Sequence, residues 1–238
     1  MTMQSSVLRL ADVHVHYGKF HAVHGVTIQA RSGEITSIIG ANGAGKSSTL
    51  KAIIGQAGTV SGSIRLGSEE LAGRTTREVI RKGIALVPEG RWLFPTLSVE
   101  ENLSIGTQVG RPGGPTMSEI FDWFPVLGER RSQAARELSG GQQQMVAIGR
   151  ALLTNPKFLL CDEISLGLAP IVVNQLYELF PRICERGIGV VVVEQDIARS
   201  LAVASRFYCF LEGRVTLTGD PNSVSRESVV KHYFGSRA

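Results

Sequence analysis

The stretch that decides the fold is Gly40-Ala41-Asn42-Gly43-Ala44-Gly45-Lys46-Ser47. An apolar segment, residues 34–39, precedes it and predicts a β-strand, and a helical segment follows through Ile54. Glycines let the backbone N–H groups and the start of the helix point at phosphate oxygens, which side chains would obstruct. We predict a phosphate-binding loop for a purine nucleotide, in which Lys46 reaches the β- and γ-phosphates and Ser47 coordinates Mg²⁺. The expected nucleotide-binding residues are Gly40, Asn42, Gly43, Ala44, Gly45, Lys46, Ser47 and Ser48. The alternative is a glycine-rich turn that caps an ordinary helix, which the flanking strand and helix disfavour.

A second apolar run, residues 157–161, ends in two carboxylates, Asp162 and Glu163. Open α/β sheets bind their ligands at the carboxyl ends of strands. Asp162 is expected to hold Mg²⁺, directly or through water, and Glu163 to orient or deprotonate the attacking water. A solvated strand end is the alternative for an isolated acidic pair, and the phosphate-binding loop upstream favours catalysis.

A third feature is the pentapeptide Leu138-Ser139-Gly140-Gly141-Gln142, called here the signature segment. It opens a predicted helix, residues 142–153. Its hydroxyl and N–H groups therefore form an anion site at the positive end of that helix. An N-cap in which Ser139 satisfies free helix donors is the plainer interpretation, and both can hold at once.

With these three features the chain resembles the ATP-binding subunits of ABC transporters over essentially its full length. The resemblance implies that the signature segment grips the γ-phosphate on a partner subunit, so that two head-to-tail subunits enclose two ATP molecules. It also implies that Tyr17 stacks on adenine, although a strand aromatic in the core is the alternative. Residues 165–168, Ser-Leu-Gly-Leu, match the family's dimer-contact loop.

Three positions depart from the general family pattern. Glu89 stands where the family usually has a glutamine that contacts the Mg²⁺ site, and the position implies Glu89 as a metal-site residue. Gln195 replaces the histidine that contacts the γ-phosphate; it donates a hydrogen bond but carries no positive charge near neutral pH. Ile164 replaces a proline and is expected to change only local backbone stiffness. Glu163, Lys46 and Gln195 are thus the expected catalytic residues.

These departures resemble a subgroup, the smaller ATPase of Liv-type branched-chain amino-acid importers. The matching segments are Val87-Pro88-Glu89-Gly90-Arg91, residues 94–103, Gln142-Gln143-Gln144 and residues 167–170. The resemblance implies ATP and Mg²⁺ as cofactors. It implies as partners a second, different ATPase that carries the histidine, two permease subunits and a separate substrate-binding protein. An ATPase of an exporter for envelope lipid is one alternative. The other is an ATP-driven switch outside transport, although its relatives carry coiled-coil insertions or two ATPase units, which this chain lacks.

Composition is consistent with this interpretation. A chain of 238 residues with 43% hydrophobic content can form one compact unit. No apolar segment approaches the roughly 20 residues of a membrane span, and residues 1–10 lack the apolar core of a secretion signal. We expect a peripheral protein at the cytoplasmic face of the inner membrane, held there by its permease. The net charge of +4 is too small and scattered to favour nucleic-acid binding.

Periodicity predicts an α/β fold: a phosphate-loop NTPase core with a mainly parallel sheet, an antiparallel β subdomain and an inserted α-helical subdomain. We expect residues 1–238 to form a single ATPase domain, with the core and the antiparallel subdomain in 1–87 and 156–238. By the resemblance, residues 88–155 are expected to form the helical subdomain that carries the signature segment. The predicted antiparallel strands are 7–17, 22–30 and 62–66; further core strands are 157–161, 187–193 and 207–211; helices are 99–106, 118–124 and 142–153. By resemblance, a groove for the permease begins near Glu89, Trp92 and Phe94, although these aromatics could instead pack between helices.

Overall fold

The computed structural model describes residues 6–235. Within this range the strands are β1 (Val7–Tyr17), β2 (Phe20–Arg31), β3 (Ile35–Gly40), β4 (Thr59–Leu66), β5 (Glu69–Glu70), β6 (Ile84–Val87), β7 (Phe158–Asp162), β8 (Gly189–Glu194), β9 (Arg206–Leu211) and β10 (Arg214–Gly219). The helices are α1 (Lys46–Ile53), α2 (Thr76–Lys82), α3 (Val99–Val109), α4 (Met117–Trp123), α5 (Pro125–Glu129), α6 (Gly140–Leu152), α7 (Pro170–Glu185), α8 (Ile197–Val203) and α9 (Arg226–Phe234).

The larger sheet has the strand order β10-β9-β3-β8-β7-β6. Its pairs are parallel except for β10, which runs antiparallel to β9 at the edge. Every residue of β3, β7 and β8 is buried, as expected for parallel strands covered by other elements on both faces. The predicted α/β fold with a mainly parallel sheet is confirmed. Because Asp162 pairs with Val193 and Ile39 with Glu194, the chain leaves β3, β7 and β8 at the same edge of the sheet.

The smaller sheet is antiparallel, with the order β2-β1-β4-β5. Strand β1 has the predicted bounds, and two strands are longer than predicted, since β2 begins at Phe20 and β4 at Thr59. Apolar side chains of β1 and β2 pack with those of α1 and of the larger sheet in one core, including Leu10, Val26 and Leu50. The smaller sheet is thereby held against the helix that follows the phosphate-binding loop.

Helices α3 to α6 lie between β6 and β7 in the chain. Three of them begin with a capping box. The side chain of Ser98, Thr116 or Ser139 accepts the backbone N–H of the residue three positions later, and the side chain of that glutamate or glutamine accepts the backbone N–H of the capping residue. Gly149 lets α6 approach its neighbours, because a Cβ there would lie 2.9 Å from side-chain carbons of Ile120 and Leu103. Within residues 6–235, no helix combines the length and the hydropathy that a bilayer span requires.

The sequence patterns missed several elements. Strand β6 has only four residues, and β10 alternates between exposed and half-buried positions at a sheet edge, so neither carries a long periodic signal. Helix α7 contains Pro181, which ordinarily argues against a helix interior. The predicted start of α6 at Gln142 was wrong: the helix begins at Gly140, because Ser139 caps it and the two glycines form its first turn.

Candidate nucleotide site

The phosphate-binding loop connects β3 to α1, as the sequence predicted. Gly43 and Gly45 have φ angles of 78° and 93°, which side chains with a Cβ rarely adopt. At position 45 the available space also favours glycine, since a Cβ there would lie 2.8 Å from the carbonyl oxygen of Ala22 in β2. The smaller sheet and the loop are therefore in close contact, and the glycines allow that approach.

Lys46, the first residue of α1, points back along the loop and is only 3% exposed. Its Nζ donates to the carbonyl oxygens of Gly40 at 2.7 Å and Ala41 at 3.0 Å. The same ammonium lies 3.2 Å from Oε1 of Glu163. A buried ammonium needs hydrogen-bond acceptors of this kind. Anionic phosphate oxygens can take their place as acceptors from Lys46.

Ser47 and Asp162 meet across 115 positions of sequence. The Ser47 hydroxyl donates to Oδ1 of Asp162 at 2.9 Å. Burial raises the pKa of Asp162, and the hydrogen bond from Ser47 opposes that rise. Glu89, in the loop after β6, lies on the same side and also raises this pKa through its charge. These oxygen donors fit Mg²⁺, which is commonly held by one or two carboxylates together with waters and substrate phosphates.

Glu163 follows β7 and is held from two sides. Besides Lys46, the side chain of Gln195 reaches it, with Nε2 donating to Oε2 of Glu163 at 2.7 Å. Glu163 is 9% exposed and has a φ angle of 46°, an uncommon backbone conformation for this residue type. The arrangement fixes one carboxylate between a cation and a neutral amide donor, beside the phosphate-binding loop.

A cavity of about 480 Å³ gathers most of the predicted site. Its lining residues are Phe20, Ala22, Asn42, Gly43, Ala44, Gly45, Lys46, Ser47, Ser48, Glu89, Glu163, Leu166 and Gln195. Tyr17 is not in this lining: it ends β1, is 39% exposed, and lies beside Gly58. Phe20, the first residue of β2 and 66% exposed, lines the cavity instead. The sequence signal for Phe20 was an aromatic residue directly after the Gly18-Lys19 turn.

The signature segment, Leu138 to Gln142, does not contribute to the lining of this cavity. Over residues 6–235, none of its five residues belongs to the cavity lining. The Ser139 side chain accepts the N–H of Gln142 at 3.3 Å, and the Gln142 side chain accepts the N–H of Ser139 at 2.9 Å. Packing requires glycine at position 141, because a Cβ there would lie 2.5 Å from Cγ1 of Val172 in α7. Within this chain, Ser139 therefore acts as the N-cap of α6.

Two arginines, whose contacts the sequence analysis did not predict, connect the Glu89 loop to α6. Arg91 donates to Oε1 of Gln143 at 3.0 Å. Arg150 donates to the carbonyl oxygens of Arg91 at 3.1 Å and Trp92 at 2.9 Å. Arg91 and Trp92 have φ angles of 68° and 47°, so the loop is held in an uncommon conformation. These contacts tie the loop beside the nucleotide site to the helix that carries the signature segment.

Strand, glycine loop, helix and the acidic end of β7 together define a phosphate-loop nucleoside triphosphatase. The chain belongs to the ABC transporter family, whose model matches residues 23–165. It is accordingly an ATPase subunit that binds ATP with Mg²⁺, couples hydrolysis to transport and works with a permease.

Individual relatives share most of the chain's length. The high-affinity branched-chain amino acid transport ATP-binding protein BraG of Pseudomonas aeruginosa is 44% identical over 213 residues, covering 89% of this chain and 91% of BraG. The lipopolysaccharide export system ATP-binding protein LptB of Escherichia coli K12 is 30% identical over 89% of this chain and 90% of LptB. Among solved structures, the ADP conformation of MJ1267, an ATP-binding cassette of an ABC transporter, is similar with a TM-score of 0.80. It is 28% identical, and the match covers 97% of this chain and 99% of MJ1267.

Proposed function

We propose that this chain energises an importer of branched-chain amino acids or related small solutes. The observation that carries the proposal is the 44% identity with BraG over 89% of the chain. LptB, whose name specifies lipopolysaccharide export, matches an equal share of the chain at 30% identity. An exporter of envelope lipid is therefore the second candidate. The Val-Pro-Glu-Gly-Arg segment and Gln195 support the importer.

In the proposed site Glu163 orients the water that attacks the γ-phosphate. Its carboxylate is buried and positioned by Lys46 at 3.2 Å and by Gln195 at 2.7 Å, which supports this assignment over a merely solvated strand end. Lys46 would exchange two carbonyl oxygens and Glu163 for the β- and γ-phosphates. Gln195 would hold Glu163 as a neutral donor, since an amide places no positive charge beside the γ-phosphate.

Ser47, Asp162 and Glu89 would hold Mg²⁺, which neutralises charge on the phosphate oxygens when bound. The contact between Ser47 and Asp162 at 2.9 Å supports this placement. Tyr17 keeps its proposed role of stacking on adenine, and Phe20 is the aromatic residue that lines the cavity beside the loop.

The signature segment, Leu138 to Gln142, is proposed to complete an ATP site on a second ATPase. None of its five residues lines the chain's own cavity over residues 6–235, which supports a role on a partner. Because Gln195 replaces the usual histidine, we propose that the companion is a different chain that carries one. Two permeases and a separate substrate-binding protein complete the assembly, which places the chain at the cytoplasmic face of the inner membrane. No nucleic acid takes part.

Residues 88–155 are proposed to form a helical subdomain that receives the permease, with the core in 1–87 and 156–238. Trp92 and Phe94 are 59% and 50% exposed, which supports contact with a partner rather than packing between helices. The contacts of Arg91 and Arg150 then connect that surface to both the Glu89 loop and the signature segment.

The test begins with isolation of the chain from its native membrane, followed by reconstitution of what accompanies it in liposomes. We expect two permeases and a second ATPase, and leucine uptake that requires ATP and a binding protein. Glu163→Gln should abolish hydrolysis and uptake, whereas Glu178→Gln, the same change at an exposed position of α7, should leave both unchanged.

Three results would contradict parts of the proposal. Persistent turnover of Glu163→Gln would remove its assigned role. Recovery of lipopolysaccharide-binding permeases would favour the exporter, and a homodimer on DNA would exclude transport.

A further inference from the structure

Glu194 is a buried carboxylate that none of the motifs includes. It is the last residue of β8 and only 3% exposed. Burial raises its pKa, which reflects the cost of removing a carboxylate from water. An apolar residue at this strand end would avoid the free-energy cost of burying a carboxylate. The hydrogen-bond partners of Glu194 therefore indicate what its carboxylate does.

Both carboxylate oxygens of Glu194 accept hydrogen bonds from one residue, Ser165. The Ser165 hydroxyl donates to Oε2 at 2.7 Å, and the Ser165 backbone N–H donates to Oε1 at 3.3 Å. Ser165 is half-buried and lies two residues after Glu163, in the segment between β7 and α7. Glu194 thus holds the segment that contains the proposed water-orienting residue.

Gln195, the residue directly after β8, makes a second contact to the same segment. Gln195 donates to Glu163 at 2.7 Å, while Glu194 accepts from Ser165. The last residue of β8 and the residue after it therefore fix Ser165 and Glu163, two alternate residues after β7. Leu166, the next residue, is 53% exposed and lines the nucleotide cavity, so the position of Ser165 also determines where this cavity wall lies.

We propose that Glu194 is a positioning residue for ATP hydrolysis, acting through Ser165 to hold Glu163 and Leu166 in the hydrolytic arrangement. The inference rests on the proposed role of Glu163. Glu194 is not among the residues that line the nucleotide cavity; it limits the freedom of the segment whose φ angle of 46° at Glu163 is already uncommon. Its loss should lower turnover and change ATP affinity little, because the glycine loop and the two carbonyl partners of Lys46 do not depend on it.

The experiment is a double-mutant cycle of Ser165→Ala and Glu194→Gln in the assembled transporter. Each single change should lower kcat about 10-fold, the lower end of what one hydrogen bond to a charged group provides, with KM for ATP within about twofold. The double variant should be no slower than the slower single variant, since both changes remove the same hydrogen bond between the Ser165 hydroxyl and an ionised carboxylate.

The chain offers a matched control in β4 and β5. The Ser63 hydroxyl also donates to a carboxylate, Glu70, at 2.7 Å, and Ser63 is likewise half-buried. Ser63→Ala and Glu70→Gln make the same chemical changes away from the nucleotide cavity and should leave kcat unchanged. A general loss of stability would affect both pairs alike, which thermal unfolding of each variant measures.

The proposal is overturned if the folded Ser165→Ala variant keeps kcat within about twofold of the parent chain. It is also overturned if the two losses multiply, or if KM rises while kcat stays constant. Glu163→Gln is measured alongside. If that variant still turns over, the role of Glu163 fails first; if it is inactive and Ser165→Ala is not impaired, only the role of Glu194 fails.

Discussion

Replacing Glu163 by glutamine should destabilise the nucleotide-free chain. Glu163 and Lys46 are 9% and 3% exposed and lie 3.2 Å apart. Removing one partner of a buried ion pair costs about 3–5 kcal/mol when the other is left uncompensated. Lys46 keeps the carbonyl oxygens of Gly40 and Ala41, so we expect a smaller loss of about 2 kcal/mol, the value of one hydrogen bond to a charged group. For a chain of this length that lowers the unfolding midpoint by about 4–8 °C.

Phosphate oxygens should reverse most of this loss. A non-hydrolysable ATP analogue with Mg²⁺ offers Lys46 new anionic partners, and it removes any difference in hydrolysis between variants. Thermal unfolding should therefore show a large deficit for Glu163→Gln without the analogue and a deficit of less than about half that size with it. Glu178→Gln, exposed on α7, is the matched control and should behave as the parent chain does.

Two results would refute this reasoning about the ion pair. One is a nucleotide-free Glu163→Gln chain within about 0.5 kcal/mol of the parent, which is the usual range for surface substitutions. The other is a deficit that is the same with and without the analogue, since the phosphates would then not replace Glu163 as the partner of Lys46.

Ser47→Ala removes the hydroxyl that donates to Asp162, so ATP affinity measured by calorimetry should fall about 10-fold with Mg²⁺; an equal fall in EDTA would argue against a metal role. Gly141→Ala places a methyl group 2.5 Å from Val172 and should cost about 1–3 kcal/mol in urea unfolding. Adding Val172→Ala should recover most of it, and no recovery would exclude this contact as the cause. For Glu70, burial raises the pKa, but hydrogen bonds outweigh it and lower the pKa from 4.5 to about 2. The ionised form therefore stabilises the fold above pH 4.5, and this contribution is lost as the pH falls towards 2. Because the side chain is partly exposed, Glu70→Gln should cost about 1 kcal/mol at pH 7, and a cost independent of pH would contradict the assignment.

The phosphate-binding loop and the acidic end of β7 could be predicted because their signals are local. A glycine loop between an apolar strand and a helix constrains its own backbone, and the strand end needs no distant partner to be recognised. The parallel sheet follows from the same alternation of strands and helices. Short elements such as β6, and α7 with its internal proline, carried too weak or too contradictory a pattern.

Contacts between distant segments were beyond the sequence patterns. Arg91 and Gln143 are 52 residues apart, and Arg150 lies 58 residues from Trp92. Glu194 and Ser165 are 29 residues apart. An arginine or a glutamate at such positions resembles an ordinary surface residue until its partner is known, because most charged side chains are solvated.

The sequence alone therefore determined the class of the protein and its use of ATP with Mg²⁺, and it supplied the residues proposed for the site, since each depends on residue types at short, fixed spacings. The tertiary structure decided how residues are held: Glu163 contacts Lys46 and Gln195, Ser165 donates to Glu194, and the signature segment does not line the chain's own cavity. The physical reason is that side-chain hydrogen bonds and burial depend on which strand ends meet at one edge of the sheet. Which strand ends lie side by side depends on the order of strands in the folded sheet.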